Sequence, residues 1–335
     1  LHPEYPPKGF VLILINAPDP ILTAALPGWL THGTRSNGGT AAAGDWARFD
    51  PALWTALTGE FPARTVSEHP LPFWGRCYAL AEAPDSQYAA LRAVIQQCGG
   101  LPGHLICLAL AGRGFQGQQG RRWRARRGNL HLTLGLKCDL PAVVHAPALP
   151  MLPAVAVMDA IGPWLAAGGP ACGIKWVNDI VSGPRKLGGV LTSIRTTEGR
   201  ITSVVLGIGL NVNVAPDIAP TVFVPGTTRL ADLTVGPEPS LETTLQAVLA
   251  AVAARWQELA AAGPQPLVDA YRAASVVVGR RVGIWPAATV VRESTEPMPP
   301  PARTGTVAAI GPALEILLDG QDEPVTAGRL AILPI

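Results

Sequence analysis

What this chain lacks narrows it first. No apolar run is long enough to cross a bilayer: Phe10 to Ile15 falls well short of the roughly 20 apolar residues such a helix takes, and Leu149 to Leu165 is broken by Pro153, Asp159 and Pro163. Behind Leu1-His2-Pro3 there is no basic segment leading into an apolar core and a small-residue cleavage site, so a secretory leader is not expected. An excess of charge is missing as well. Lys and Arg number 26 against 24 Asp and Glu, a net of +2, so no global field favours nucleic acid or a membrane, and any electrostatic function has to be local. The five cysteines, Cys77, Cys98, Cys107, Cys138 and Cys172, form no Cys-x-x-Cys pair and have no histidine at ligand spacing. That argues against a disulfide framework and a structural zinc and fits a reducing compartment. The expectation is a cytoplasmic protein with no bound metal of its own, no DNA partner and no membrane partner.

What is present suits a globular enzyme-sized chain. With 335 residues and 48% apolar composition there is material for one large domain and one or two small ones. Residues 1–70 open with an expected strand, Gly9 to Asn16, and continue through turn-rich sequence such as Arg35 to Thr40. They carry four basic and six acidic residues, a poor balance for a DNA reader. A strand around Arg76 to Ala81 follows, then a helix, Ser86 to Gln97, with Tyr88, Leu91, Val94 and Ile95 on one face, stopped by Cys98-Gly99-Gly100. His104 to Ala111 reads as a buried strand and Asn129 to Leu136 as an alternating one. Residues 150–167 read as an apolar helix, Gly173 to Val214 as a meander of three short strands, and Leu241 to Ala262 and Pro266 to Ala274 as amphipathic helices. From Val276 the period changes to strands, at Arg281 to Ile284, Gly305 to Ile310, Ala313 to Leu318 and Leu330 to Leu333, around a Pro-rich loop, Glu293 to Pro301, expected to be mobile. The expected division is an N-terminal extension over 1–70, a main domain over 71–274 and a small barrel-like β-domain over 275–335.

Three stretches carry chemistry. In the loop from Gly112 to Gly128, four of the first nine residues are glycine, which lets backbone N–H groups approach a ligand, and six arginines supply planar forks for phosphate. Taken alone the loop also reads as a solvated basic face and, more weakly, as a nucleic-acid contact. In Lys175-Trp176-Val177-Asn178-Asp179, a lysine and an Asn-Asp pair sit in and at the end of an apolar strand, where unpartnered polar groups are costly. A Lys186–Asp179 ion pair across the Ser182-Gly183-Pro184 turn is the structural alternative. Finally, Gly188-Gly189 and Gly207-x-Gly209 place glycines inside strands, where they mark either a ligand's close approach or tight packing.

In this order, KWVND, RKLGGVL (185–191) and GIGLNVN (207–213), preceded by Gly112-Arg113-Gly114 and a Trp-containing loop running into Gly128-Asn129-Leu130, resemble the biotin protein ligase catalytic domain of the biotin/lipoate ligase superfamily. The resemblance covers roughly residues 74 to 335, and the segment from 276 resembles the SH3-like C-terminal domain of many such ligases. The lipoate branch carries a different strand signature, so the resemblance leans to biotin. It implies an α+β fold, a mixed or antiparallel sheet with packed helices of the class II synthetase-like kind, plus a small SH3-like barrel. It implies two steps: biotin's carboxylate attacks the α-phosphate of ATP, bound with Mg²⁺, and a lysine of a biotin carboxyl carrier protein or domain then takes the acyl group.

Carried onto this chain, Lys175 becomes the cation bridging carboxylate and phosphate, and Arg113, Gly112, Gly114, Phe115 and Arg121-Arg122-Trp123 become the loop that closes over the adenylate. Asn178, Asp179, Lys186 and Asn211 become partners of the nucleotide, and Asp85, Ser86, Gln87, Gly188, Gly189 and Gly209 line the acid pocket. A homodimer through the exposed edge of the meander is a further option. The chain departs from the family where the acid should sit. Pro84-Asp85-Ser86 stands in place of an STN-like pattern, and the glutamine common in the family a few residues before the GRG has no counterpart, since Cys107 to Ala111 is apolar throughout. The GRGFQGQQGRR loop is longer by about three residues, so Phe115 replaces an arginine when aligned from the left. Three readings stay open: a biotin ligase with a rearranged pocket, a ligase of the same fold for another acid such as lipoate or octanoate, and a non-catalytic binding or regulatory paralogue.

Overall fold

The computed structural model describes residues 10–16, 34–35, 45–58, 64–70, 73–289 and 298–334. Its centre is a ten-stranded mixed sheet. In chain order the strands are β1 (Phe10–Asn16), β2 (Thr34–Arg35), β3 (Arg64–Pro70), β4 (Arg76–Leu80), β6 (Leu105–Ala109), β8 (Leu130–Pro141), β9 (Cys172–Lys175), β10 (Asp179–Ser182), β11 (Arg185–Thr197) and β12 (Arg200–Leu210). The short strands β5 (Ala83–Asp85) and β7 (Gly112–Gly114) pair with each other, parallel, above it. Spatial order in the large sheet is β2-β3-β1-β4-β6-β8-β12-β11-β10-β9. Because β1 runs parallel to β4, the sheet continues without a break across residue 70.

The meander forms four strands rather than three. Lys175 and Asp179 pair directly across the turn Trp176-Val177-Asn178, which divides the expected first strand into β9 and β10. The last two strands are long, and Glu198 and Gly199, both at positive φ, make the hairpin turn between them. The edge strand β9 is capped rather than open. Ile174 bridges Ser275, and the Val276 N–H donates to the Ile174 carbonyl at 3.0 Å.

Alternation along the strands assigns each face a cover. One face carries Ile106, Leu108, Leu130, Leu132, Leu134, Val204, Leu206 and Ile208, buried under α3 (Leu152–Ile161), α4 (Leu241–Ala262) and α5 (Gln265–Ala274). The helix expected over 150–167 is shorter because Pro163 ends it in a 3₁₀ turn at Gly162–Trp164. The Ser240 hydroxyl caps α4, accepting from the Thr243 N–H at 3.0 Å. The opposite face is only half covered. There α1 (Trp46–Thr58) and α2 (Gln87–Cys98) pack Phe49, Leu53, Trp54, Leu91, Val94 and Ile95 on Tyr78, Leu105 and Cys107. The half beyond these helices remains available as a cleft.

At the C-terminus β13 (Arg281–Trp285), β14 (Arg303–Ile310), β15 (Ile316–Leu318) and β16 (Arg329–Ile332) form the expected small antiparallel SH3-like unit, in the order β15-β14-β13-β16. The Pro-rich loop lies partly outside the described residues, as do Gly9 and Ser36 to Thr40. Val282, Ile284, Val307 and Ile310 join the main core, and the Trp176 indole donates to the Leu314 carbonyl at 2.6 Å, so the unit is seated on the sheet. The class read from sequence, α+β with a small β-unit, is the one that forms. Among the described residues, no helix is long and apolar enough to cross a membrane.

Candidate active site

The floor of the cleft is a single cross-strand row. Register pairs Lys175 with Asp179, Asp179 with Gly189, Gly189 with Gly209, and Gly209 with His131. Five strands therefore present these residues side by side on one face, over roughly 19 Å at the usual strand spacing. A second row beside it runs Leu191, Gly207, Thr133 and Cys107. The glycines turn the middle of the floor into a trough, and Trp123 lies in it. A Cβ on Gly209 would stand 2.6 Å from the Trp123 ring, a distance no real contact adopts.

Trp123 is held in this trough from below. Its indole N–H donates to His131 Nδ1 at 3.3 Å, and His131 Nε2 lies 2.9 Å from the Arg126 carbonyl. These partners define a neutral imidazole protonated at Nε2. Burial pushes the His131 pKa down to about 4, only partly opposed by the Arg126 carbonyl, so the ring stays neutral at physiological pH.

The cleft has two chambers. Gln118, Arg121, Arg122, Trp123, Asn178, Asp179 and Lys186 line both. The first, about 100 Å³, lies over the trough and is walled by Ser86, Tyr88, Phe115, Thr133, Gly189, Gly207 and Gly209. The Ser86 and Thr133 hydroxyls are buried. The second, about 310 Å³, adds Lys175, Arg124, Asn211, Phe223 and Arg329.

Charge is concentrated at the second chamber. Lys186 Nζ sits 2.5 Å from Asp179 Oδ1, which is the ion pair weighed from sequence as the structural alternative. Burial alone would raise the Asp179 carboxyl, but Lys186 and Lys175 reverse this and hold it below the ordinary carboxylate range. Lys175 is buried, donates to the Phe223 carbonyl at 2.5 Å, and is pushed down by that burial to about 8 despite the attraction of Asp179.

The structure does not bring every expected residue into this cleft. Arg113 points to solvent, 83% exposed, paired with Glu82 at 2.8 Å, and neither it, Gly112 nor Gly114 borders a chamber. Those two glycines serve packing: a Cβ on Gly112 would strike the Phe115 ring, and one on Gly114 the Asp85 carboxylate. Asp85 is exposed beside Gly114 and borders neither chamber. Gln87 is fully buried outside both chambers with neither amide atom paired. Gly188 packs on the Gly209 carbonyl, 2.7 Å from where its Cβ would be.

Asn178 and Asn211 border the cleft, yet both are committed to backbone. Asn178 Nδ2 donates to the Val190 carbonyl at 2.6 Å, and Asn211 Nδ2 to the Thr228 carbonyl at 3.0 Å. Phe115, Ser86, Arg121, Arg122, Trp123, Asp179, Lys186, Gly189 and Gly209 line a chamber wall. Sequence reasoning missed His131, Thr133, Tyr88, Phe223 and Arg329. A signal existed for the first two, since His131 and Thr133 are polar at alternate positions of a leucine strand and so must share one face.

A half-covered sheet whose bare half is a glycine trough under an arginine-rich loop, with a small β-barrel at its side, defines a ligase-type α+β architecture. The same architecture occurs in the biotin protein ligase from Aquifex aeolicus solved in complex with biotin and ATP, at a TM-score of 0.55 and 17% identity over 77% of this chain and 98% of that one. In sequence, 193 residues are 33% identical to the biotin--[acetyl-CoA-carboxylase] ligase of Paracoccus denitrificans, covering 55% of this chain and 75% of the relative. Residues 98–211 match the family model of the biotin/lipoate A/B protein ligases. The chain belongs to that family. Its match to the bifunctional ligase/repressor BirA of Bacillus spizizenii, 40% identical over 106 residues, spans 31% of each chain.

Proposed function

We propose that this protein is an ATP-dependent biotin protein ligase, forming biotinyl-5′-AMP and transferring biotin to a lysine of a biotin carboxyl carrier protein or domain. One observation carries this: the floor row puts a buried lysine and a glycine trough in one continuous cleft under a phosphate-suited loop. The relative from Paracoccus denitrificans, named as a biotin--[acetyl-CoA-carboxylase] ligase, supports it.

The chemistry divides between the chambers. Biotin lies along the trough with its carboxylate toward Lys186 and Lys175. A carboxylate oxygen attacks the α-phosphorus, the bond from that phosphorus to the bridging oxygen breaks, and pyrophosphate leaves with the electron pair. The carrier lysine's neutral amine then attacks the acyl carbon, AMP departs, and the amine loses its proton. No enzyme nucleophile is required.

The chain's part is electrostatic and steric. Lys175, with Arg121 in the position Arg113 does not reach, balances charge growing at the α-phosphate, and Trp123 covers the anhydride against water. Lys175 must first release the Phe223 carbonyl. Asp179 is the one carboxylate on the second chamber's wall, and among the described residues no three His, Cys, Asp or Glu gather as a metal set. Mg²⁺ would be held through the nucleotide's phosphates, with Asp179 nearby, and would supply neutralisation of their charge. For the acid, the Ser86 and Thr133 hydroxyls in the first chamber suit a ureido ring better than an aliphatic chain.

The test is pyrophosphate release with ATP, Mg²⁺ and biotin, lipoate or octanoate in turn. Release with biotin is expected. Release only with another acid moves the substrate, and nucleotide binding without release by any acid makes the protein a non-catalytic binder.

A further inference from the structure

The glycines of Gly207-x-Gly209 are each roofed by a different aromatic ring. Trp123 lies over Gly209. Tyr88, the second residue of α2, lies over Gly207, where a Cβ would stand 3.1 Å from its ring and 3.4 Å from the Leu191 Cβ. By its spacing Tyr88 belongs to the apolar stripe of its helix, yet it is only half-buried and borders the first chamber beside Ser86, Thr133 and Leu191.

Register explains why the trough ends at this ring. Beyond the row of Leu191, Gly207, Thr133 and Cys107, the next row on the same face is Ser193, Val205, Gly135 and Leu105. Val205 and Leu105 are buried there with Leu91, Val94 and Ile95 of α2, so the open floor stops between the two rows. Tyr88 stands at that boundary and is held in place. Its hydroxyl hydrogen-bonds with the Ser193 side chain, the Arg92 guanidinium lies 5.6 Å from its ring centroid, and its backbone sits in the first turn of α2. Trp123, by contrast, rides on the 112–128 loop, and its indole N–H is tied to the sheet through His131. The first chamber holds about 100 Å³, below the roughly 300 Å³ at which ordinary small-molecule sites begin. An acid entering the trough therefore displaces one of the two rings. The loop-borne Trp123 is the one free to lift, which leaves Tyr88 as a fixed wall.

We propose that Tyr88 is the length stop of the acid site: with the carboxylate held at the lysines, its ring sets how far the other end of the acid can extend past Gly207. Tyr88 is thus a specificity-determining residue that chooses among acids by length. The inference rests on the ligase reading above, because the direction in which the acid lies follows from it. A role in helix packing alone would make binding insensitive to the length of the ligand.

Calorimetric binding of two acid series to the full chain tests the stop. One is norbiotin, biotin and homobiotin, which differ by single methylenes between ring and carboxylate; the other is hexanoate, octanoate, decanoate and dodecanoate. The unaltered chain should bind homobiotin about tenfold or more weakly than biotin, as expected for overpacking against a fixed ring. In Tyr88→Ala the order should reverse, each added methylene strengthening binding by about fourfold. Tyr88→Phe, which keeps the ring and loses the Ser193 bond, should keep the cut-off. A uniform loss across both series in Tyr88→Ala, or unchanged discrimination against homobiotin, overturns the stop. Should Tyr88→Ala fail to fold, Tyr88→Leu, which shortens the wall and keeps the stripe apolar, carries the same comparison. If the unaltered chain binds the fatty acids but none of the biotin series, the biotin reading fails while the fatty-acid cut-off still decides on Tyr88. If it binds biotin and the cut-off does not move in the variant, only the stop fails. If it binds neither series, the ligase reading fails and takes the stop with it.

Discussion

The two chambers of the cleft are built from opposite materials. The trough is made by leaving side chains out: Gly189, Gly207 and Gly209 lower the floor so that Trp123 and an acid can lie on it. The second chamber is made by adding charge, with cations drawn from the 121–124 loop, β9, β11 and β16. The difference teaches that shape and charge were placed by different means. A trough follows from the register of neighbouring strands. A charged chamber needs distant segments to converge, and it is held by paired groups such as Lys186 and Asp179.

Substitutions can break this contrast, and the largest effect belongs to the charged side. Lys175→Ala should lower adenylate formation by about 100- to 1000-fold, the usual cost of removing one preorganised charge-stabilising group. Thermal unfolding should stay cooperative, because among the described residues the lysine's ammonium donates to the Phe223 carbonyl, in a loop, and to no strand or helix. A near-normal rate of pyrophosphate release in this variant would remove Lys175 from the mechanism. On the trough side, Gly209→Ala forces Trp123 upward. It should weaken biotin binding by about tenfold or more, given that overpacking typically costs 1–3 kcal/mol, while tripolyphosphate binding is spared. Equal loss of both ligands would show that the chambers are not separable.

A pH profile sharpens the same contrast. Lys175 is a cation below about pH 8 and loses its proton above it, so kcat/KM for ATP should fall as pH rises through about 8. Biotin binding, which depends on the neutral His131 with its pKa near 4, should not change over that range. A flat profile for ATP from pH 7 to 9 would contradict the buried, desolvated lysine. The smallest effect is expected at Arg113→Ala. The side chain is an exposed surface partner of Glu82, and such pairs contribute little. A large loss of adenylate formation would mean that the loop refolds around the nucleotide and carries Arg113 inward.

Legibility in the sequence followed the nature of each signal. The helices over 241–262 and 265–274 were readable because their apolar stripes repeat with the helical period. The meander was readable in place but not in number. Nothing local marks the turn at Trp176 to Asn178, whereas the register across it is a long-range property of the sheet. Arg113 and Arg121 look alike as letters in a glycine-rich loop. Only the pairing of β5 with β7 turns the first toward Glu82 and leaves the second over the cleft. Asn178 and Asn211 were read as nucleotide contacts on the strength of the family resemblance. The structure shows their amides donating to backbone carbonyls instead, that of Val190 within β11 and that of Thr228 in the loop after the meander.

The fold class came through the family resemblance, while by itself the sequence determined the main helices and the C-terminal strands, the position of the phosphate-suited loop and the identity of the buried lysine. Each of these is written in residue types over a short span: periodicity, glycine with arginine, and a charge inside an apolar strand. Only the tertiary structure decided that Lys175, Asp179, Gly189, Gly209 and His131 form one row, that His131 is neutral beneath Trp123, and that Arg329 reaches the chamber from the C-terminal unit. These depend on strand register and on the seating of one unit upon another. Both are settled by burial of a shared core among residues far apart in the chain, and no local pattern encodes them.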